Sequence, residues 1–564
     1  MANENIKKIP FCLFLIFCGA FLFAFSNPNI ILRQGFAFTA WVMYFPYFFL
    51  LKKSSLKNCW FYSGLYGCLS VALYAYWLYN YNPLCFIIAL VISFAGTAIA
   101  GQLLKLLQGL FKKNYWLVWF LCICSFDYIR TLGFMGFHYG LAAYTQWNMN
   151  ILAQLTSLTG VFGLNALVIF PSSLIFAYLS KLEDKKYILH RMVGDNRHYE
   201  GATYVNYVSD NEKLLKNTSL VTPVIFGCLW LIMLMSALVY GHLQLKKTEN
   251  TKTVTVAAIQ HNDNPDSNGL ENFREGMQSL INLTDEALEI NPEIDLVLWP
   301  ENAIVPSVIY HYNQKDNTDR KKLVTYVLEY INSRSPSFVI GNQHISVNAN
   351  GSGKKYYNSS LIFTPGQNVI PPEPQLYSKN HLVPFSEYFP YEKFFPHVYK
   401  ALLEHEKFFV EPGNEIKVST VAGLDVFTPI CFEDTFPDLC RKAWQNGARC
   451  FLCMANDSWS KSVSCQFQHL GMARFRAIEN HVPVIISSVS GQTAVIEPDG
   501  TIIAMAEPFT KTYVIADVPV ISQAQKPTIY NKTGDIFGYG SIFLLLGVLI
   551  IRIFIAIIYK HKRK

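Results

Sequence analysis

The chain has 564 residues, 51% of them hydrophobic and only 15% charged. Soluble proteins carry about 25% charged residues, so a plain assembly of soluble domains is excluded and much apolar surface must face lipid. The formal net charge of +7 comes largely from cations that flank apolar stretches, which points to membrane orientation rather than to a nucleic-acid face.

Seven apolar stretches precede residue 250, at 9–26, 36–51, 59–79, 83–110, 115–135, 151–180 and 221–242, and an eighth covers 537–559. Crossing a bilayer takes about 20 apolar residues, so each is a candidate span and the second is short. The first reads as an anchor rather than a cleaved leader, because no small-residue cleavage site follows it. Cations alternate between loops: Lys7-Lys8, Lys52-Lys53-Lys57, Lys112-Lys113, Lys181-Lys185-Lys186-Arg191 and the tail from Lys560 to Lys564 fall on one side. Positive loops stay in the cytoplasm, so both termini are expected there. Lys246-Lys247 runs slightly against this pattern, but a long translocated domain overrides such charges. Three parts follow: residues 1–245 as a membrane domain with seven transmembrane helices, 246–535 as an extracytoplasmic domain, and 536–564 as a last transmembrane helix with a basic tail. Residues 133–165, rich in Gly, Tyr and Trp, fit either an interfacial aromatic belt or a lipid-contact surface. The polar segment 182–219 reads as a cytoplasmic loop.

The outer part alternates strands and helices. Val254–Gln260 is a strand, Leu270–Ile290 carries apolar residues at helical spacing, and Asp319–Arg334 is a second amphipathic helix. Strands follow at Phe338–Gly341 and Ser359–Thr364. After Cys431 come a helix through Ala443, the strand Cys450–Ala455, a helix from about Gln466 to Asn480, the strand Val482–Ser487 and a strand pair turning at Pro498-Asp-Gly500. So many strands predict two sheets with helices outside. The 13 cysteines form no regular framework, and eight lie in the apolar stretches, where a thiol packs as a small hydrophobe. Cys450-Phe-Leu-Cys453 lies inside a strand-like run, which favours packing over redox or metal chemistry.

Three apolar runs end on chemically useful groups. Ile294–Pro300 delivers Glu301, Gln375–Ser378 delivers Lys379, and Leu424–Ile430 delivers Cys431. A thiol is a strong nucleophile only as thiolate and needs a base or cation beside it. Glu301 supplies a general base, and Lys379 a cation for thiolate and oxyanion. Glu433 and Asp434 by themselves oppose a thiolate, so Lys379 must lie close. Tyr391–Val410, with Phe394, Phe395, Leu402, Phe408 and Phe409, is expected either to cover the sheet or to form a lid dipping into the membrane.

This Glu-Lys-Cys set, with Asn456-Asp-Ser-Trp459, resembles the nitrilase (carbon–nitrogen hydrolase) superfamily. Lys379-Asn-His-Leu-Val-Pro-Phe-Ser-Glu387 and Leu158-Thr-Gly-Val-Phe-Gly-Leu164 are similar to the apolipoprotein N-acyltransferase family within it. The resemblance implies an α-β-β-α sandwich on a multi-span helical membrane domain. It implies Glu301, Lys379 and Cys431 as catalytic residues and Glu387 and Glu433 as their supports. Trp459 and Asn358 stand as candidate substrate contacts. The sequence departs from the family in Ser460-Lys-Ser-Val-Ser464, where a glycine is usual, and in Ser487-Ser-Val-Ser-Gly491, where an asparagine is usual.

The implied reaction moves an acyl chain from a phospholipid to the N-terminal S-diacylglyceryl-cysteine of a diacylated apolipoprotein, through a cysteine thioester. The site implied is the periplasmic side of a bacterial inner membrane, and the implied state is a monomer. No metal-ligand spacing, P-loop or GxGxxG occurs, so no cofactor or metal is expected. A membrane-anchored nitrilase-type amidase uses the same triad with water as acceptor. A non-catalytic lipid carrier is the third alternative; it calls for buried charges in the spans, and few occur beyond Lys105, Asp127 and Arg130.

Overall fold

The computed structural model describes residues 2–111, 114–195, 218–245, 252–263, 269–347, 353–389, 391–406 and 409–561. The expectations for Lys112, Lys113, Lys246, Lys247, Phe408 and most of 182–219 fall outside them. Among the described residues, five helices are long and apolar enough to cross a membrane: Ile9–Ser26, Pro83–Leu110, Thr156–Ile188, Val221–Gln244 and Ile536–Ile558. Helix Pro83–Leu110 begins on Asn82, whose side chain accepts from Leu84 N at 2.8 Å. The helix Val221–Gln244 and the last helix turn Ile232, Phe543 and Ile550 outward, each more than 60% exposed, as lipid-facing side chains do.

Three other apolar stretches make shorter helices: Phe45–Lys53, Cys59–Tyr74 and Tyr115–Ile129. At ~1.5 Å per residue the first covers only ~14 Å of a ~30 Å hydrocarbon core. Its stretch is broken, because Ala37–Trp41 takes a tighter 3-10 turn before the helix starts. The segment after residue 182 begins as helix rather than loop, since the helix from Thr156 continues to Asp195. Its acids Glu183 and Asp184 pair with Lys52 at 3.0 and 2.8 Å, which holds that turn against the neighbouring helix. The three charges noted in the apolar stretches are all spent on structure. Lys105 donates to Leu51 O at 2.8 Å, a helix-end carbonyl. Arg130 bonds Asp127 and the carbonyls of Phe137 and Tyr139, and Asn165 donates to Asp127 at 2.9 Å.

The remainder is a sandwich of two six-stranded sheets, ordered β12-β1-β2-β3-β4-β5 and β11-β10-β9-β8-β7-β6. The first holds β1 (Thr253–Gln260), β2 (Leu296–Leu298), β3 (Ser337–Val347), β4 (Lys354–Phe363), β5 (Gln375–Ser378) and β12 (Thr512–Pro519). The second holds β6 (Ser419–Val421), β7 (Leu424–Phe427), β8 (Cys450–Ala455), β9 (Val484–Ser488), β10 (Ala494–Ile496) and β11 (Ile502–Met505). In each sheet three central strands run parallel and the flanking ones antiparallel. Parallel strands are covered on both faces, which is why β8 is an unbroken apolar run with every residue buried. Cys450 and Cys453 lie within it as buried free thiols.

Helices Leu270–Ile290 and Asp319–Asn332 cover the first sheet, sinking Met277, Leu280, Ile281, Val324, Val327 and Leu328 into one core. Helices Pro437–Gln445 and Val463–Asn480 cover the second, and every residue from Ser464 to Asn480 is buried because the membrane helices pack on its other side. The sheets meet through apolar faces and two hydroxyl contacts, Ser360 to Thr428 at 2.6 Å and Ser487 to Ile259 O at 2.7 Å. The architecture is the expected α-β-β-α sandwich beside a helical bundle.

The two parts are joined where a buried ion pair within the helix Val463–Asn480 meets the membrane helix. Arg476 Nη2 lies 3.1 Å from Glu479, with both side chains at most 1% exposed. Glu479 also accepts from Val161 N at 3.2 Å, just after Gly160, whose φ of +63° kinks the membrane helix. A side chain at Gly160 would meet the Tyr530 ring at 2.7 Å, so glycine is required there twice over. Glu479→Ala leaves a buried guanidinium without its anion and is expected to cost about 3–5 kcal/mol. Glu507→Ala breaks an exposed pair with Arg33 and should change stability little. Denaturant unfolding of the purified protein in detergent checks this, and equal losses in both variants would contradict it.

Candidate active site

The parallel strands point their C-terminal ends to one edge, where sites of α/β sheets form. β2 ends three residues before Glu301, β5 ends on the residue before Lys379, and β7 leads through Pro429-Ile430 to Cys431. Ile430 still bridges Met454 of β8, which carries the backbone in register up to the thiol. Pro300 stops the β2 ladder and frees Glu301 to turn inward.

There Lys379, 1% exposed, sits between two acids, with Nζ 2.9 Å from Glu387 Oε1 and 3.5 Å from Glu301 Oε1. Asn358 on β4 donates its amide to the same oxygens, at 2.6 Å to Glu301 and 3.1 Å to Glu387. The Cys431 thiol lies close enough to Glu301 for each to shift the other's pKa. Burial opposes the Lys379 charge, but Glu387, Glu301 and Cys431 outweigh it and its pKa rises. Burial raises Glu301, as does Glu387, while Lys379, Asn358 and Cys431 pull it back. Burial also raises the Cys431 thiol well above its ordinary value, with Glu301 and Asp457 adding to the rise and Lys379 opposing it. Burial and the neighbouring acids thus favour the thiol over the thiolate, and Lys379 alone among these groups favours the thiolate.

Cys431 takes φ +51°, a left-handed conformation that costs a non-glycine residue about 1–3 kcal/mol. Glu433 helps to fix that turn. Its carboxylate accepts from Ile430 N at 2.9 Å, Asn380 N at 2.7 Å, His381 N at 3.1 Å and Tyr377 hydroxyl at 2.8 Å. It thus sews the lysine strand to the cysteine turn and touches neither thiol nor ammonium. Glu387 Oε2 likewise accepts from Val383 N at 2.8 Å, closing its own loop around Lys379.

Of the two residues offered as substrate contacts, Asn358 spends its amide nitrogen on the two carboxylates. Trp459 packs between Trp77 and Tyr81 of the helical part, ring centres 5.6 and 5.1 Å away. In the aromatic segment Phe394 and Phe395 are 79% and 57% exposed, whereas Leu402, on the helix Pro396–Glu406, is fully buried.

His469 is the residue that sequence reasoning passed over. It lies on the wholly buried helix Val463–Asn480 with each ring nitrogen 2.8 Å from a carboxylate, Nε2 to Asp434 and Nδ1 to Asp457. A lone histidine in a Gln-His pair gives no signal without knowing which acids face it. Cys431, Asp457 and His469 place donor atoms within 4.8 Å of one another. That set does not fit a metal ion, because both imidazole nitrogens are already taken by acids.

A two-sheet sandwich with acid, ammonium and thiol at its strand ends, joined to a bundle of apolar helices, defines a membrane-borne enzyme of the carbon–nitrogen hydrolase class. Residues 255–526 match the carbon–nitrogen hydrolase family, and residues 15–174 match the apolipoprotein N-acyltransferase N-terminal domain. Apolipoprotein N-acyltransferase 1 of Treponema denticola is 34% identical across 93% of both chains, and that of Treponema pallidum is 36% identical across 95% of both. The relative in Borreliella burgdorferi is 28% identical over 94% of both chains. The chain belongs to the apolipoprotein N-acyltransferase family; it is an acyltransferase and a multi-pass membrane protein.

The surroundings of Glu433 give a pH test. Burial pushes its pKa up to about 7, against the pull of Ile430 N, Tyr377, Lys379 and His381 N. An acid raised on folding favours the folded state below its unfolded pKa, and that contribution is lost as pH climbs through about 7. Thermal unfolding of the native chain should therefore fall more steeply between pH 5 and 8 than that of Glu433→Gln. Parallel curves would contradict it.

Proposed function

We propose that this enzyme transfers an acyl chain from a membrane phospholipid to the α-amino group of the S-diacylglyceryl-cysteine that begins a diacylated apolipoprotein. The observation that carries the reading is the buried contact of Lys379 with Glu301 and Glu387 beside the Cys431 thiol. The relatives' names supply the apolipoprotein acceptor and the N-acyl product.

The Cys431 proton passes to Glu301, and sulfur attacks the sn-1 ester carbonyl. Lys379 lies against the developing oxyanion, an interaction worth about 3–4 kcal/mol where such donors have been removed. Collapse breaks the ester C–O bond, Glu301 returns its proton to the leaving oxygen, and lysophospholipid departs. The acceptor amine then attacks the thioester, Glu301 takes a proton from the nitrogen and gives it to the departing sulfur, and the amide leaves. Splitting the reaction lets one lipid go before the next arrives, so both use one site. Water as acceptor would make the enzyme an amidase or esterase; a single anchor would serve that purpose.

Labelled phospholipid without acceptor should leave acyl label on Cys431 that neutral hydroxylamine removes, and a diacylated lipopeptide should discharge it as amide. Cys431→Ser should lose nearly all turnover, and Glu301→Gln should slow acylation by about 100-fold or more. Amide formation without acyl label at any time would sink the thioester. Free fatty acid released as fast as amide forms would favour hydrolysis.

The topology proposed with it has eight crossings, the short helices being completed by their adjoining turns. Residues 1–245 form seven crossings, 246–535 lie on the periplasmic side of a bacterial inner membrane, and 536–564 cross back; the unit is a monomer. Lys52, Lys181, Glu183 and Asp184 gather at one end of the bundle, while Pro28 O, just past the first helix, meets Gln468 of the sandwich at 2.9 Å. That arrangement supports an inner end where charged side chains, Lys52 and Lys181 among them, collect and a catalytic outer end. Reporter fusions at residue 250 and at the C-terminus should report outside and inside respectively, and an inside result at 250 would refute it.

A further inference from the structure

His469 sits directly behind the Cys431 turn. Its Nε2 is 2.8 Å from Asp434 Oδ1 and 3.3 Å from the Cys431 carbonyl oxygen, and its Nδ1 is 2.8 Å from Asp457 Oδ2. All three partners are acceptors: two carboxylates and one carbonyl. Both ring nitrogens therefore carry hydrogens, and the ring is an imidazolium. His469, Asp434 and Asp457 are at most 5% exposed at their side chains, so water screens none of these charges.

The arrangement has two consequences for the thiol. Asp434 follows Cys431 in the same turn and Asp457 follows β8, so one ring ties together the two loops that flank the sulfur. It also places one cation against two anions that would each oppose a thiolate. Asp457 is close enough to Cys431 to raise its pKa, whereas the cation at Lys379 lowers it. The other groups facing the network are Cys453 and Cys440 beside Asp434, Cys465 beside Asp457, and Tyr139 near both acids.

We propose that His469 is a positioning residue for Cys431: a buried imidazolium that holds the left-handed cysteine turn and neutralises Asp434 and Asp457, leaving Lys379 to govern charge at the sulfur. This rests on Cys431 as nucleophile. Asp434 and Asp457 are then structural anions matched to this ring, with no part in proton transfer.

The test follows alkylation of the Cys431 peptide by iodoacetamide from pH 6 to 10, read by mass spectrometry on the full-length protein in detergent. His469→Gln keeps an amide donor but removes the cation. Labelling of Cys431 should slow about tenfold at every pH below its midpoint, as a rise of about one unit in that midpoint requires. Asp457→Asn removes one of the opposing anions and should lower the midpoint, a readout that stands even if the glutamine variant fails to fold. Folded variants with the native midpoint, or an Asp457→Asn midpoint that stays or rises, would overturn the role of His469. If Cys431 of the native chain labels no faster than buried Cys440, the nucleophile assignment itself fails, which is a different result.

Discussion

A lysine ammonium taken out of water is tolerated only where anions and hydrogen bonds replace its hydration. Lys379, buried to 1% exposure, meets that condition with two carboxylates at 2.9 and 3.5 Å. Much else near the strand ends serves this one contact. Asn358 keeps the two acids from repelling each other, Val383 N fixes Glu387, and Glu433 fixes the backbone on either side of the lysine and the cysteine. Burial first, and then the acids, favour the protonated thiol, so the reaction proposed above begins with transfer of that proton to Glu301.

The second constraint is the setting of this polar cluster against lipid-facing helices. The helix Val463–Asn480 is shared, with one side supporting the second sheet and the other resting on the membrane bundle. Arg476 and Glu479 anchor it to the kink at Gly160, Gln468 reaches Pro28 and Tyr74, and Trp459 stacks on Trp77 and Tyr81. The same helix carries His469, so the element that fixes the sandwich on the bundle also backs the cysteine turn. The proposed acyl transfer would use such a junction, because the ester carbonyl of a phospholipid lies near the membrane surface while its acyl chain stays within the bilayer.

Much of the architecture was legible in the sequence because it depends on short-range periodicity. Cys450–Ala455 reads as a buried strand because each of its residues is apolar, and Leu270–Ile290 reads as a helix because its apolar residues recur each turn. The runs ending in Glu301, Lys379 and Cys431 stood out for the same reason: an ionisable or nucleophilic group breaks an apolar pattern at a strand end. Hydropathy was less informative about length. The stretch 36–51 looks continuous in composition, yet a 3-10 turn divides it, since the break depends on how its side chains pack against other helices.

The sequence by itself determined which segments are apolar, which are strands, and which three side chains stand at strand ends, because these are properties of neighbouring residues. Only the tertiary structure decided which charges face which. Asn358 lies 57 residues from Glu301, and His469 lies 35 from Asp434, yet each pair is in hydrogen-bond contact. Whether a histidine is neutral or an imidazolium, and whether an asparagine points to substrate or braces two acids, depends on partners brought together by sheet order and helix packing. Those distances are fixed by folding, and no local pattern encodes them.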